Sequence, residues 1–189
     1  MVLLHTRRLT LRELTQNDTA RADLYEAISK VVVPDATHAI RAFTDSQRIR
    51  AERSAKTRRV FEFAILQSVD SQLIGRCGME QSEVEQTEAM LWYALAQDAW
   101  GHGYAVEAAQ AVLRFGFEEL RLHRIFVDID PRNGASLRVA EKLGLRREGH
   151  FLETTWSQGE WTDSVIFALL DREYRARGLK APTRASRRG

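Results

Sequence analysis

Apolar and polar residues alternate near the start of the chain, and this two-residue period predicts an opening strand over residues 9–14. Residues 15–18, Thr-Gln-Asn-Asp, offer N-cap side chains for a helix that runs to about Lys30. A second helix is expected from Thr44 or Asp45 to about Arg58. The apolar break at 31–34 between these helices is assigned to the core, with a substrate-facing role as the alternative.

Three strand-like runs occupy the middle of the chain, at Val60–Leu66, Leu73–Met79 and Ala89–Leu95. Short polar stretches separate these runs, which predicts a meander of neighbouring strands. The period changes at Tyr104, because apolar residues then recur every three or four positions as far as Leu120. That spacing is typical of a helix with one buried face.

The last third of the chain returns to strands. Arg124–Ile129 is predicted to be a buried strand, and Asn133 can cap a short helix that Gly144 ends. Two closing strands are expected over residues 145–153 and 162–170, joined by a turn at Gln158–Gly159. This order of strands and helices predicts an α+β fold, close to α/β, in which helices cover the faces of a sheet.

Composition narrows the class of protein. The chain is 44% hydrophobic and 29% charged, and no apolar run approaches the roughly 18–20 residues of a membrane span. The start has no secretory signal pattern, so we expect a cytoplasmic protein without a membrane partner. The lone Cys77 cannot form an intramolecular disulfide, and the five histidines lack helical ligand spacing, so no metal site is predicted.

One domain is predicted over residues 1–177, because no repeat or linker-like stretch divides them. Residues 178–189 are basic and are interpreted as a flexible, solvated tail. A nucleic-acid contact through this tail is the less favoured alternative.

The most informative segment follows the strand Met90–Leu95, where Gly101-His102-Gly103 opens a long helix. Glycines let the backbone approach a ligand closely, and the free N–H groups of a helix start attract phosphate. A plain turn explains the segment equally well on its own. A dinucleotide-binding loop is disfavoured because Val106 stands at the third glycine position, and neither a Walker loop nor a Gly-x-Ser-x-Gly elbow is present.

The stretch from Ala89 to Gly149 carries WGHGYAVEA, DPRNGASLRVAEKLGL and RREG in order, and GEWTD follows at residues 159–163. These motifs resemble the GNAT superfamily of acyl-CoA N-acyltransferases, most closely its Rim-type branch of protein N-terminal acetyltransferases. The resemblance implies a GNAT-type fold with a central mixed, mostly antiparallel sheet of about seven strands flanked by helices. It also implies acetyl-CoA as co-substrate.

By this resemblance, Trp100 to Ala105 match the family cradle Gln/Arg-x-x-Gly-x-Gly/Ala, with Trp100 in place of Gln or Arg. The pyrophosphate would lie on the helix start, and the pantetheine arm would pair with the preceding strand. The residues that would contact the donor are Tyr93, Ala94, Leu95, Trp100, Gly101, His102, Gly103, Tyr104, Ala105, Val106, Asn133 and Ser136.

The resemblance also implies catalytic roles. Many superfamily members carry a tyrosine acid seven residues after the helix-opening Asn, where this chain has Ala140. The Rim-type branch uses the serine of Asn-x-x-Ser instead, so Ser136 becomes the proton donor to the CoA sulfur. A backbone N–H near Leu95 would stabilise the oxyanion. The general base stays open between Glu88 and Glu153, with His150 as a third candidate.

The expected function is therefore transfer of acetyl from acetyl-CoA to a primary amine, most favoured as a protein N-terminus. A small-molecule amine acceptor, or a CoA-binding module without catalysis, are the alternatives that the sequence leaves open. Trp156 and Trp161 near the closing hairpin could shape an acceptor pocket or a homodimer contact, although core packing explains them as well.

Overall fold

The computed structural model describes residues 2–14, 58–82, 87–157 and 159–178. Both helices predicted between residues 15 and 57, the apolar break at 31–34, and the tail from residue 179 onward lie outside the described residues. Among the described residues, no helix is long and apolar enough to cross a membrane.

Eight strands form one sheet in the described part of the chain. Their bounds, in chain order, are β1 (Leu3–His5), β2 (Leu9–Glu13), β3 (Val60–Gln67), β4 (Leu73–Gln81), β5 (Glu88–Leu95), β6 (Arg124–Ile129), β7 (Arg146–Ser157) and β8 (Glu160–Leu170). Their spatial order is β1-β2-β3-β4-β5-β6-β8-β7. Neighbouring strands run antiparallel except β5 and β6, which are parallel.

The described residues also contain three α-helices. The first, α1 (Tyr104–Arg114), continues into a π-helical turn at Phe115–Glu119. The others are α2 (Gly134–Lys142) and α3 (Asp171–Ala176), and a 3-10 turn at Gln97–Ala99 follows β5. The predicted helix over residues 104–120 is therefore confirmed in position, but its last turn is wider than an α-helix.

The hydrophobic core lies between the sheet and α1. Small residues on the inner face of α1, Ala108 and Ala109, are fully buried, which lets the helix approach the central strands closely. From those strands Phe63, Cys77 and Leu91 join the same cluster. This packing fixes the start of α1 just beyond the end of β5.

The predicted fold class is confirmed, with one correction. The expected sheet of about seven strands has eight, because β1 adds an edge strand at Leu3–His5. Three residues are too short to show a hydrophobic period, so only pairing with β2 reveals this strand.

Candidate active site

The sheet opens between β5 and β6. Their parallel pairing begins at Glu88↔Arg124 and ends at Met90↔Phe126. Beyond that point β5 continues to Leu95 alongside β4, whereas β6 continues to Ile129 alongside β8. Because each strand keeps its outer neighbour, the two diverge without disrupting the rest of the sheet.

Backbone groups of β5 face this opening at alternate residues. Ser82 N–H donates to Glu88 O and Ala96 N–H donates to Ile74 O, both at 2.9 Å, so the even-numbered residues of β5 bond to β4. In an antiparallel pair, successive residues of a strand direct their N–H and C=O groups to opposite sides, so the odd-numbered residues of β5 direct theirs away from β4. The N–H groups of Tyr93 and Leu95 therefore face the opening, and no described strand pairs with them.

Trp100 holds the chain where β5 ends. Its indole Nε1–H donates to the carbonyl oxygen of Leu95 at 2.9 Å, although 44% of the residue remains exposed. This bond occupies one of the carbonyls that β5 directs into the opening. Trp100 therefore links this loop to the last residue of β5.

The loop that opens α1 has left-handed backbone at two positions. Gly101 has φ of 80° and Gly103, the N-cap of α1, has φ of 78°. A non-glycine residue in this region costs roughly 1–2 kcal/mol, so the sequence uses glycine at both. The turn leaves the first N–H groups of α1, from Tyr104 onward, directed out of the helix, with no side-chain cap on them.

A partly buried carboxylate fastens this loop to the first strands. Glu107, in the first turn of α1, accepts hydrogen bonds from the Thr6 hydroxyl at 2.6 Å, the Arg8 N–H at 2.8 Å and the Arg8 Nε–H at 2.7 Å. Arg8 also donates to the carbonyl of His102 at 3.0 Å and lies over the Tyr104 ring. The cradle is therefore fixed from outside by the turn between β1 and β2, which the sequence analysis did not find.

Burial of Glu107 by itself would raise its pKa, but the hydrogen bonds from Thr6 and Arg8 outweigh it and lower the pKa. A carboxyl group whose pKa is lower in the folded than in the unfolded state stabilises the fold at pH values above its unfolded pKa. That stabilisation is lost as the pH falls through the folded value. Glu107 should therefore contribute to stability at neutral pH and lose this contribution in acid.

We expect Glu107→Gln to lower the free energy of unfolding at pH 7 by about 1.5–3 kcal/mol, as charge-assisted hydrogen bonds are lost. The difference from the wild type should shrink as the pH falls through the lowered pKa of the Glu107 carboxyl, because the wild-type side chain then loses its charge too. Urea denaturation at several pH values measures both effects. Glu141→Gln on the exposed side of α2 removes the same charge and should change little; a pH-independent deficit in E107Q would contradict the assignment.

On the other side of the opening, Asn133 caps α2, because its Oδ1 accepts the N–H of Ser136 at 3.0 Å. The carbonyl of Ser136 accepts the Tyr93 hydroxyl at 3.1 Å, which joins β5 to the first turn of α2. Burial raises the pKa of Tyr93, so its phenol stays protonated. The half-buried Ser136 hydroxyl has no hydrogen-bond partner among the described residues.

The three candidate bases lie in two separate places. Glu88 is bound to Arg124 at 2.5 Å at the start of β5, seven residues from Leu95 and so about 23 Å away along the strand. Glu153 is exposed on β7, where its backbone N–H donates to Asp163. His150 contacts Asp163 at 2.8 Å on the same hairpin. No group of three potential metal ligands occurs in the described ranges.

Comparisons with known proteins agree with this geometry. Residues 8–146 match the model of a family described as an acetyltransferase (GNAT) domain. The chain is 30% identical over 179 residues to the uncharacterized N-acetyltransferase p20 of Bacillus licheniformis, across 92% of this chain and 99% of that one. It is 26% identical over 175 residues to the [ribosomal protein uS5]-alanine N-acetyltransferase of Escherichia coli, across 89% and 90%.

A solved structure of a GNAT-family acetyltransferase from Bacillus anthracis superposes with a TM-score of 0.73 at 28% identity. It covers 90% of this chain and 99% of its own.

Proposed function

This chain belongs to the acetyltransferase (GNAT) family and is an acyl-CoA-dependent N-acetyltransferase, and from that premise we propose that its acceptor is the N-terminal amine of a protein. Support comes from the relative that acts on an alanine of ribosomal protein uS5, because the similarity spans about nine tenths of both chains. A second relative in Bacillus subtilis, 28% identical over 105 residues, is named a ribosomal N-acetyltransferase, although only putatively.

The observation that carries the donor side of the proposal is the opening between β5 and β6. A thioester substrate whose pyrophosphate rests on Gly101–Val106 can extend its arm along the free edge of β5. The N–H of Leu95 would pair with that arm. The N–H of Tyr93 would then donate to the oxyanion that forms at the thioester carbonyl. Tyr93 lies two residues before Leu95, the position near which the sequence analysis placed this donor.

Such a backbone donor is preorganised, because β5 is held rigidly by β4 along its other edge. Removing a comparable donor in other acyl transfer enzymes costs roughly 3–4 kcal/mol of transition-state stabilisation. Ser136 lies across the opening on α2 and would give its hydroxyl proton to the departing thiolate. The proposed site therefore uses three groups of the protein on the thioester: the N–H groups of Tyr93 and Leu95 on β5, and the hydroxyl of Ser136 on α2.

The acceptor is tested by following thiol release with purified protein and three amines. A peptide with a free N-terminal alanine should be acetylated with kcat/KM at least about tenfold above spermidine. The matched control is the same peptide with its N-terminus already acetylated and one internal lysine, which should be inert. Turnover on spermidine alone would point to a small-molecule acceptor, and binding of acetyl-CoA without turnover on any amine would point to a CoA-binding module.

A further inference from the structure

The carboxylate of Asp128 lies on the β6 side of the opening, on the sheet face that α1 does not cover. Its neighbours Val127 and Ile129 are buried in the core that packs against α1. Because successive side chains of a strand point to opposite faces, Asp128 projects from the other face, and it is exposed there.

Asp128 is also at the right depth along the opening. The last paired residues are Met90 and Phe126. Two residues further along each strand lie Trp92 and Asp128, one position short of the Tyr93 N–H that would hold the oxyanion. An amine that reaches the thioester from this face would therefore pass the Asp128 carboxylate.

The charge of Asp128 is not compensated by a described cation. Glu88 pairs with Arg124, and both Asp130 and Glu160 pair with Arg132, each at 2.5 Å. Asp128 has no Lys, Arg or His within ion-pair distance in the described ranges. A lone carboxylate beside a reaction centre is complementary to a protonated amine.

One oxygen of this carboxylate is fixed in place. The hydroxyl of Ser164, on β8, donates to Asp128 Oδ1. Ser164 is only 5% exposed, so its orientation is set by the packing of β8. Oδ2 accepts no hydrogen bond from any described residue, and it is free to meet a ligand.

We propose that Asp128 binds the ammonium group of the acceptor and takes its first proton, with Ser164 as the positioning residue; this rests on the amine acceptor proposed above. The neutral amine then forms the C–N bond to the thioester carbonyl carbon and gives the oxyanion, and the C–S bond breaks when the carbonyl re-forms. The second amine proton passes through water to the Ser136 oxygen, which has given its own proton to the departing thiolate. The proton on Asp128 passes to water.

The test compares wild type, Asp128→Asn, Ser164→Ala and the charge-matched control Asp70→Asn. Asp70 lies in the exposed turn between β3 and β4, and an amide there can still accept the Gln72 N–H. Each protein is assayed with the free N-terminal peptide and with methoxyamine, which carries no charge at the assay pH. Acetyl-CoA affinity is measured separately by calorimetry.

In D128N we expect kcat/KM for the peptide to fall about tenfold or more, because a charge-assisted contact and a proton acceptor are both lost. The loss with methoxyamine should be less than about threefold, and acetyl-CoA affinity should not change. S164A should show a smaller loss in the same direction, and D70N none.

Equal losses with both amines, or full peptide activity in D128N, would overturn the role of Asp128 while leaving the acetyltransferase function intact. A wild-type protein that acetylates neither amine would overturn both proposals. Retained acetyl-CoA affinity in D128N excludes misfolding as the cause of a loss.

Discussion

Replacing Ser136 with alanine should lower kcat by about 100-fold, the usual contribution of a positioned proton donor. The KM for acetyl-CoA should stay within about twofold, because the backbone contacts of Ser136 with Asn133 and Tyr93 do not need its hydroxyl. Steady-state kinetics with a peptide acceptor measure both constants. Thiol release in S136A that equals the wild type would refute the proton-donor role.

Tyr93→Phe is the matched control for this experiment, since Tyr93 carries the other hydroxyl at the first turn of α2. The Tyr93 hydroxyl donates its hydrogen bond to the carbonyl of Ser136. Loss of this bond should weaken the attachment of α2 to β5 and raise the KM for acetyl-CoA without a comparable fall in kcat. If Y93F loses turnover and S136A does not, the proton donor is the phenol. Ser136→Thr, which keeps a hydroxyl, should retain part of the activity.

The second large effect is expected from Gly101→Ala, which should weaken acetyl-CoA binding by about 30-fold, or about 2 kcal/mol. A Cβ at Gly101 would meet no protein atom within 4 Å, so we expect the methyl group to act through the proposed pyrophosphate contact and not through a clash with the protein. The left-handed backbone at φ of 80° also becomes strained and deforms the cradle. Calorimetric titration with acetyl-CoA gives the affinity.

Gly159→Ala is a closely matched control for the backbone strain. Gly159 lies in the turn between β7 and β8 with φ of 83°, and a Cβ there also meets nothing within 4 Å. Both variants should lose a similar roughly 1 kcal/mol of stability, but only G101A should lose affinity. Equal affinities in the two variants would show that the cradle does not hold the donor.

Local features of this protein could be predicted from the sequence because adjacent residues create them. The alternation around Thr10 and the mostly apolar sequence of β3 encode strands by themselves, and Gly103 and Asn133 mark helix starts through their own backbone or side-chain chemistry. The edge strand β1 escaped because its three residues carry too little pattern.

Features made by distant residues could not be predicted in this way. Glu107 receives its hydrogen bonds from residues 99 and 101 positions earlier in the chain, and nothing near it indicates that contact. Glu88 shares a strand face with Met90, which made it a reasonable base candidate, but its pairing with Arg124 depends on the register of β6. The sequence analysis did not select Asp128, because two facts about it depend on the folded chain. It lies beside the opening, and it forms no ion pair with a cation in the described ranges.

The divergence of β5 and β6 also has a kinetic consequence. Each strand is held by its outer neighbour, β4 or β8, so the gap exists before any ligand arrives. Acetyl-CoA does not have to separate β5 from β6 in order to bind. We therefore expect binding in one step, with an observed rate constant that rises linearly with the acetyl-CoA concentration. The N–H groups of Tyr93 and Leu95 are already unpaired in the free protein, so acetyl-CoA can bind without first breaking hydrogen bonds of the sheet.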